Sequence, residues 1–202
     1  MNNYDSNPAV LYDRSAKPFA DLSETFGGNK NMLPTIIAIT AIVALIVVWG
    51  ISVQRRLIRL DENIASAMNQ IGVQMSSRFD ALTALLALTN GYAEREIEAL
   101  LKTIKAKRKL ITAKSTPNDV LSQEKLITES LDRLAEVAKR HPELKANPSY
   151  IKMLDAVEAF SNMVRTSCLI YNESVSNLNR EIRMFPNSAI AGPLGLKPRE
   201  YF

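Results

Sequence analysis

Residues 31–54 read NMLPTIIAITAIVALIVVWGISVQ, without one charged side chain. Three arginines, Arg55, Arg56 and Arg59, follow within five residues. About 20 apolar residues cross the ~30 Å hydrocarbon core as a helix, so this run is long enough. Only helices and closed barrels satisfy their backbone polar groups in lipid. The run therefore reads as a membrane-spanning helix, with Leu33, Ile36, Ile39, Val43, Ile46 and Trp49 as anchor residues. Trp49 lies near the end of the run, where an interfacial aromatic is expected. The run is too long for the apolar region of a cleavable signal peptide, and a mixed-charge tail precedes it, so a signal-anchor is expected.

Arg55, Arg56 and Arg59 are the topology determinants. Lys17 and Lys30 are sparse before the span. The positive-inside rule then places the C-terminal domain in the cytoplasm and the N-terminus outside. The expected location is a bacterial-type inner (plasma) membrane, crossed once.

Outward from the span, residues 1–30 hold Pro8, Pro18, Gly27, Gly28 and many Asn, Asp and Ser, and little regular structure is expected there. Leu11, Tyr12, Phe19, Leu22 and Phe26 are interleaved with them as an alternative docking segment. On the other side, the 148 residues from Arg55 onward suffice for one domain with a real core. They carry 22 Lys+Arg against 17 Asp+Glu, an excess that suits the cytoplasmic face of a membrane.

No proline occurs from Thr35 to Thr116. An apolar stripe runs through Leu60, Ile64, Met68, Ile71, Met75, Phe79, Leu82, Leu86, Thr89, Ala93, Ile97, Leu100 and Ile104. Its mean step of about 3.67 residues keeps it on one face of a nearly straight helix. Asn90-Gly91 either breaks this helix or leaves it continuous to the next boundary. Ser115 to Asn118 form that boundary. A helix then runs from about Asp119 to Arg140, with Leu121, Ile127, Leu131, Leu134 and Ala138 inward. His141-Pro142 stops it. Asn147 caps a last helix with Pro148 at its first position. That helix runs to about Met184, with Tyr150, Leu154, Val157, Val164, Tyr171, Val175, Leu178 and Ile182 inward.

The expected fold is all-α: one N-terminal transmembrane helix followed by a long-helix antiparallel bundle of four-helix type. The expected divisions are a tail over 1–30, the span over 31–54, the bundle over 55–185, and an extended C-terminal tail over 186–202.

Three blocks then carry a resemblance. They are RFDALTALLALTNGYAEREIEAL (Arg78 to Leu100), HPELKAN (His141 to Asn147) and YNESVSNLNREIRMFPNSAIA (Tyr171 to Ala191), with Tyr201-Phe202 at the end. In this order after one N-terminal span, they resemble the LemA family from about Arg55 to the C-terminus. Arg78, Asp80, Gly91, Tyr92, Ala93 and Glu96 match in the first block. Pro142, Leu144, Lys145, Ala146 and Asn147 match in the second. Tyr171, Asn172, Val175, Asn179, Ile182, Phe185 and Pro186 match in the third. The chain departs at Thr83, where the family usually has proline, and at His141, where it usually has tyrosine. Ser161 and Cys168 stand where the family tends to show a glutamate and an arginine. The resemblance implies a membrane-anchored helical bundle with no established enzymatic activity.

The residues themselves suggest no catalysis. Cys168 and His141 are the only members of their kinds and fall on different segments. A nucleophile needs an adjacent base. Glu94, Glu96, Glu98 and Glu124 read as solvated carboxylates, so no enzyme, cofactor or metal is expected. Tyr171-Asn172 and Leu178-Asn179 recur seven residues apart. They read as buried amides that set packing register, the alternative being amides offered to a peptide or another subunit.

Lys102, Lys105, Lys107, Arg108 and Lys109 form a basic run as a candidate surface for anionic lipid or a partner. Without interleaved aromatics, nucleic acid is not expected. Leu60, Ile64, Met68, Ile71 and Met75 are the candidate self-association residues, closest to the span. The expected function is a homo-oligomeric, non-enzymatic scaffold that organises or remodels the bilayer. The alternative is a membrane-tethered adaptor for a soluble partner or membrane enzyme.

Overall fold

The computed structural model describes residues 32–202. The expected N-terminal tail, with Lys17, Lys30 and its interleaved apolar residues, lies outside the described residues. So does the side chain of Leu33. The described residues are helical with irregular connections and contain no strand. The chain divides into two compact units, residues 1–50 and 51–202.

Helix α1 spans Met32–Thr89. In the first unit it is apolar on every side, and Ile36, Ile39, Val43, Ile46 and Trp49 are all exposed. It is long and apolar enough to cross a membrane. A helix that is apolar all round belongs in a large core or a bilayer. Among the described residues of this unit, no core covers it.

In the second unit the burial pattern of α1 changes to one face. Val53, Leu57, Ile64, Met68, Ile71, Met75, Phe79, Leu82 and Leu86 are buried. Val53, within the expected span of 31–54, places its side chain in the core of the second unit. At Asn90-Gly91 the helix does break. Buried Thr89 donates its hydroxyl to the Leu86 carbonyl at 2.8 Å, and the Tyr92 amide returns to the Thr89 carbonyl at 3.0 Å. Helix α2 follows over Glu94–Lys107, with Glu94 and Glu96 in its first turn and Lys105 and Lys107 in its last. Both ends complement the helix dipole.

Helix α3 covers Pro117–Arg140. Its start is a capping box: Thr116 Oγ1 accepts the Asp119 amide at 3.3 Å, and Asp119 Oδ2 accepts the Thr116 amide at 2.9 Å. The short α4 (Pro142–Lys145) leads to α5, Pro148–Arg183, whose N-cap Asn147 accepts the Ser149 amide at 2.9 Å. A final short helix, α6, spans Ser188–Ala191.

Cross-links between helices give their directions. Arg140 pairs with Glu96, joining the end of α3 to the start of α2. Arg108, just past α2, pairs with Asp80 of α1. Arg56 near the start of the second unit pairs with Glu181 near the end of α5. Successive long helices therefore run antiparallel, as short connections require. Thr83 bends nothing: α1 runs through it, and its hydroxyl donates to the Phe79 carbonyl.

Two inward positions are corrected. Leu121 is 53% exposed, because α3 turns Val120, Gln123 and Ile127 inward instead. Gln123 bridges the end of α2, accepting the Lys109 amide and donating to the Lys107 carbonyl. Leu154 is exposed because Tyr150, Val157 and Val164 recur every seven residues, with Met153 filling between them.

Helices α2 and α3 are shorter than α1 and α5, so the segment of α1 before Ser76 needs other cover. Part of it comes from the connection between α2 and α3. Gly72 lies so close beneath this connection that a Cβ there would stand 2.2 Å from the Ile111 carbonyl oxygen. Only a residue without Cβ admits that approach. Further cover comes from α5, tied there by Arg56–Glu181, and from the C-terminal segment, whose Arg199 reaches Asp61.

Candidate functional site: the C-terminal clasp

Residues 186–202 are not the free extended tail expected from their prolines and glycines. Ala191 is buried, and Ile190, Leu194, Leu196 and Phe202 pack against the core. Gly195 has φ 68°, a left-handed conformation that other residues adopt at a cost. The chain then returns along α5.

Two amides on α5 receive it. Asn179 takes both main-chain groups of Arg199: its Oδ1 accepts the Arg199 amide and its Nδ2 donates to the Arg199 carbonyl, each at 2.9 Å. Asn172 Oδ1 accepts the Phe202 amide at 2.9 Å. The Tyr171 hydroxyl donates to the Glu200 carbonyl at 3.2 Å. The Phe202 ring meets the Tyr171 ring edge-on, 5.0 Å between centroids. The Arg199 guanidinium reaches Asp61 of α1 at 2.9 Å. The seven-residue repeat of Tyr171-Asn172 and Leu178-Asn179 thus places a main-chain clasp on one helix face. The peptide it holds is the chain's own end. Burial pushes the Tyr171 hydroxyl above its ordinary pKa and keeps it a neutral donor.

The clasp predicts the behaviour of a variant. Asn179→Ala removes both bonds to Arg199 while the exposed main chain regains water. The cost is about 1–2 kcal/mol. Hydrogen exchange at the Arg199 and Phe202 amides is expected to speed up about tenfold. Unchanged exchange would mean that the apolar side chains alone hold the tail.

The other expected site residues separate. Ile64, Met68, Ile71 and Met75 are buried within one chain, and Leu60 is partly buried against the same core. This corrects the reading of these five as a surface for another copy: the connection at Ile111 and the C-terminal segment occupy that space. Lys102, Lys105, Lys107 and Lys109 are exposed, as a surface reading needs. Arg108 is corrected. It donates to Asp80 at 2.8 Å and to Ser76 Oγ at 2.7 Å, and lies 5.2 Å from the centre of the Phe79 ring. It fastens α2 to α1 rather than extending the basic run. Arg55, Arg56 and Arg59 are exposed, with Arg56 2.7 Å from Glu181.

One feature was not anticipated. Arg78 is only 6% exposed and pairs with Glu124 across α1 and α3. Glu124 therefore corrects the reading of the carboxylates as solvated. Arg78 Nε and Glu124 Oε1 are buried without a hydrogen-bond partner. The available signal was positional: Arg78 lies three residues after Met75 and four before Leu82, at the edge of the stripe. Cys168 is half-buried, and burial, then the Glu124 charge, pushes its thiol up to about 11. That shift keeps the thiol protonated at neutral pH. The His141 ring lies against Tyr92, centroids 5.7 Å apart. Among the described residues, no cluster of His, Cys, Asp and Glu is arranged to hold a metal ion.

In a comparison with known families, the LemA family matches residues 67–202. That region includes the three blocks, the clasp and the Arg78–Glu124 pair. It begins somewhat later than the resemblance from about Arg55. No curated protein matches the chain.

Proposed function

The chain belongs to the LemA family, and from that premise we propose that it is a single-pass, non-enzymatic membrane protein whose helical domain associates with copies of itself to organise or remodel the bilayer. The span is the apolar part of α1, a signal-anchor in a bacterial-type plasma membrane. The helical domain is cytoplasmic and the N-terminus outside, because exposed Arg55 and Arg59 follow the span.

The observation that carries self-association is the outer face of α5. Met163, Leu169 and Ile170 are exposed there beside Thr166, and Leu169 is 64% exposed. This replaces the buried stripe as the surface for another copy. Tethering to one membrane raises the local concentration of copies. Sizing of the detergent-extracted protein is expected to give a discrete homo-oligomer. Leu169→Glu with Ile170→Lys should dissociate it with unchanged helicity. Losing the burial of two such side chains costs about 3 kcal/mol, more than a hundredfold in affinity. A monomeric wild-type protein would refute the proposal.

Orientation has its own test. A Lys107→Cys variant in a Cys168→Ser background is expected to resist impermeant thiol reagents in intact cells and to react after lysis. Labelling of sealed cells would reverse the topology.

The adaptor is the second reading, favoured by the exposed Lys102, Lys105, Lys107 and Lys109. They suit an acidic partner, and a monomer that still captures one would select this reading.

A further inference from the structure

The turn that ends α5 carries an exposed apolar pair, Met184 and Phe185, and Phe185 is 85% exposed. Such a side chain left open next to cations is the composition of a membrane-surface contact. Its location follows from Glu181. One Glu181 oxygen accepts from Arg56 at 2.7 Å, and the other accepts from Asn187 at 2.6 Å. The buried carboxylate thus ties the Met184–Asn187 turn to the start of the second unit. Arg56 is two residues beyond the uncharged run, a distance of at most about 7 Å of chain. Because α5 runs antiparallel to this part of α1, Met184 and Phe185 continue past Arg56 toward the N-terminal edge of the unit.

The charges agree. Arg55, Arg59, Arg180 and Arg183 are exposed at this end. Among the described residues, no carboxylate lies within ion-pair distance of any of them. Of the nearby acids, Glu181 and Asp61 are already paired, with Arg56 and Arg199, while Glu62 is exposed three residues after Arg59.

We infer that the Met184-Phe185 turn is a second membrane contact, which dips into the headgroup region of an anionic bilayer while Arg180 and Arg183 meet lipid phosphates. This rests on the membrane-anchor reading of the apolar helix. The arginines are attracted to an anionic surface, and Phe185 loses its exposure to water. The contact would give the helical domain a second point of attachment to the bilayer.

Trp49 is the only tryptophan in the chain, so single reporters are available. Full-length protein would be placed in vesicles of phosphatidylglycerol and phosphatidylcholine brominated near the headgroup. In a Trp49→Phe background, the Phe185→Trp reporter is expected to lose emission to an extent comparable with native Trp49. An Ile151→Trp reporter at the far end of α5 should not. Adding Arg180→Glu and Arg183→Glu should restore emission at the Phe185→Trp reporter. Quenching of Trp49 without quenching at Phe185→Trp overturns the inference and leaves the anchor standing. Quenching at Phe185→Trp without quenching of Trp49 overturns the anchor reading, and with it the inference that rests on it. A blue-shifted, unquenched Phe185→Trp reporter means that protein covers the turn, and also overturns it. Quenching insensitive to the charge reversal overturns the assignment to anionic lipid.

Discussion

Ile64→Asp combined with Ile71→Asp is expected to unfold the helical domain, not merely to separate copies of it. Both isoleucines are buried within one chain, Ile71 completely. Each carboxylate would lose hydration without gaining a partner, and each apolar contact would be lost as well. A buried unpaired polar group costs several kcal/mol, against a total stability of about 5–15 kcal/mol. Two such substitutions consume most or all of it. Circular dichroism and sizing on the same sample check this: helicity outside the span should collapse. Retained helicity with a smaller particle would return the stripe to an interface between copies.

Arg78→Leu is expected to destabilise the fold by about 3 kcal/mol, because it strands Glu124 between α1 and α3. Partial exposure of Glu124 holds the cost at the lower end of the range for buried pairs. The double variant Arg78→Leu with Glu124→Leu should recover most of the loss, since no buried charge remains. Denaturant unfolding of the three variants closes the cycle. A double variant as unstable as Arg78→Leu would show that the guanidinium stem, and not the pairing, supports the core.

Much of this was legible before the fold was seen. The helix start at Asn147 was readable because capping is local chemistry, whereas the helix expected from about Asp119 begins at Pro117 with Thr116 as its cap. The stripes from Ile64 to Leu86 on α1 and from Ile97 to Ile104 on α2 were readable too, because helical period puts each set on one face of its own helix. The errors came from choices between neighbouring faces. Val120 and Leu121 are both apolar, and periodicity accepts either. The bonds of Gln123 to the end of α2 decided which one turned inward. The clasp was half legible. The seven-residue repeat placed Asn172 and Asn179 together, but their partner lies 20 to 30 residues away in a segment rich in proline and glycine.

By itself the sequence determined an apolar helix long enough for a bilayer, the break at Asn90-Gly91 as an available site, and the capped start of the last helix at Asn147. Each depends on interactions within a few residues of chain. Only the tertiary structure decided that the stripe from Leu60 to Met75 is covered by its own chain, that Arg108 fastens helices, and that Arg78 and Glu124 pair. Those outcomes depend on which segments compete for one apolar face. The Ile111 connection and the C-terminal segment win that competition because they are part of the same chain, already held beside the stripe by Gly72, Asn179 and Asp61.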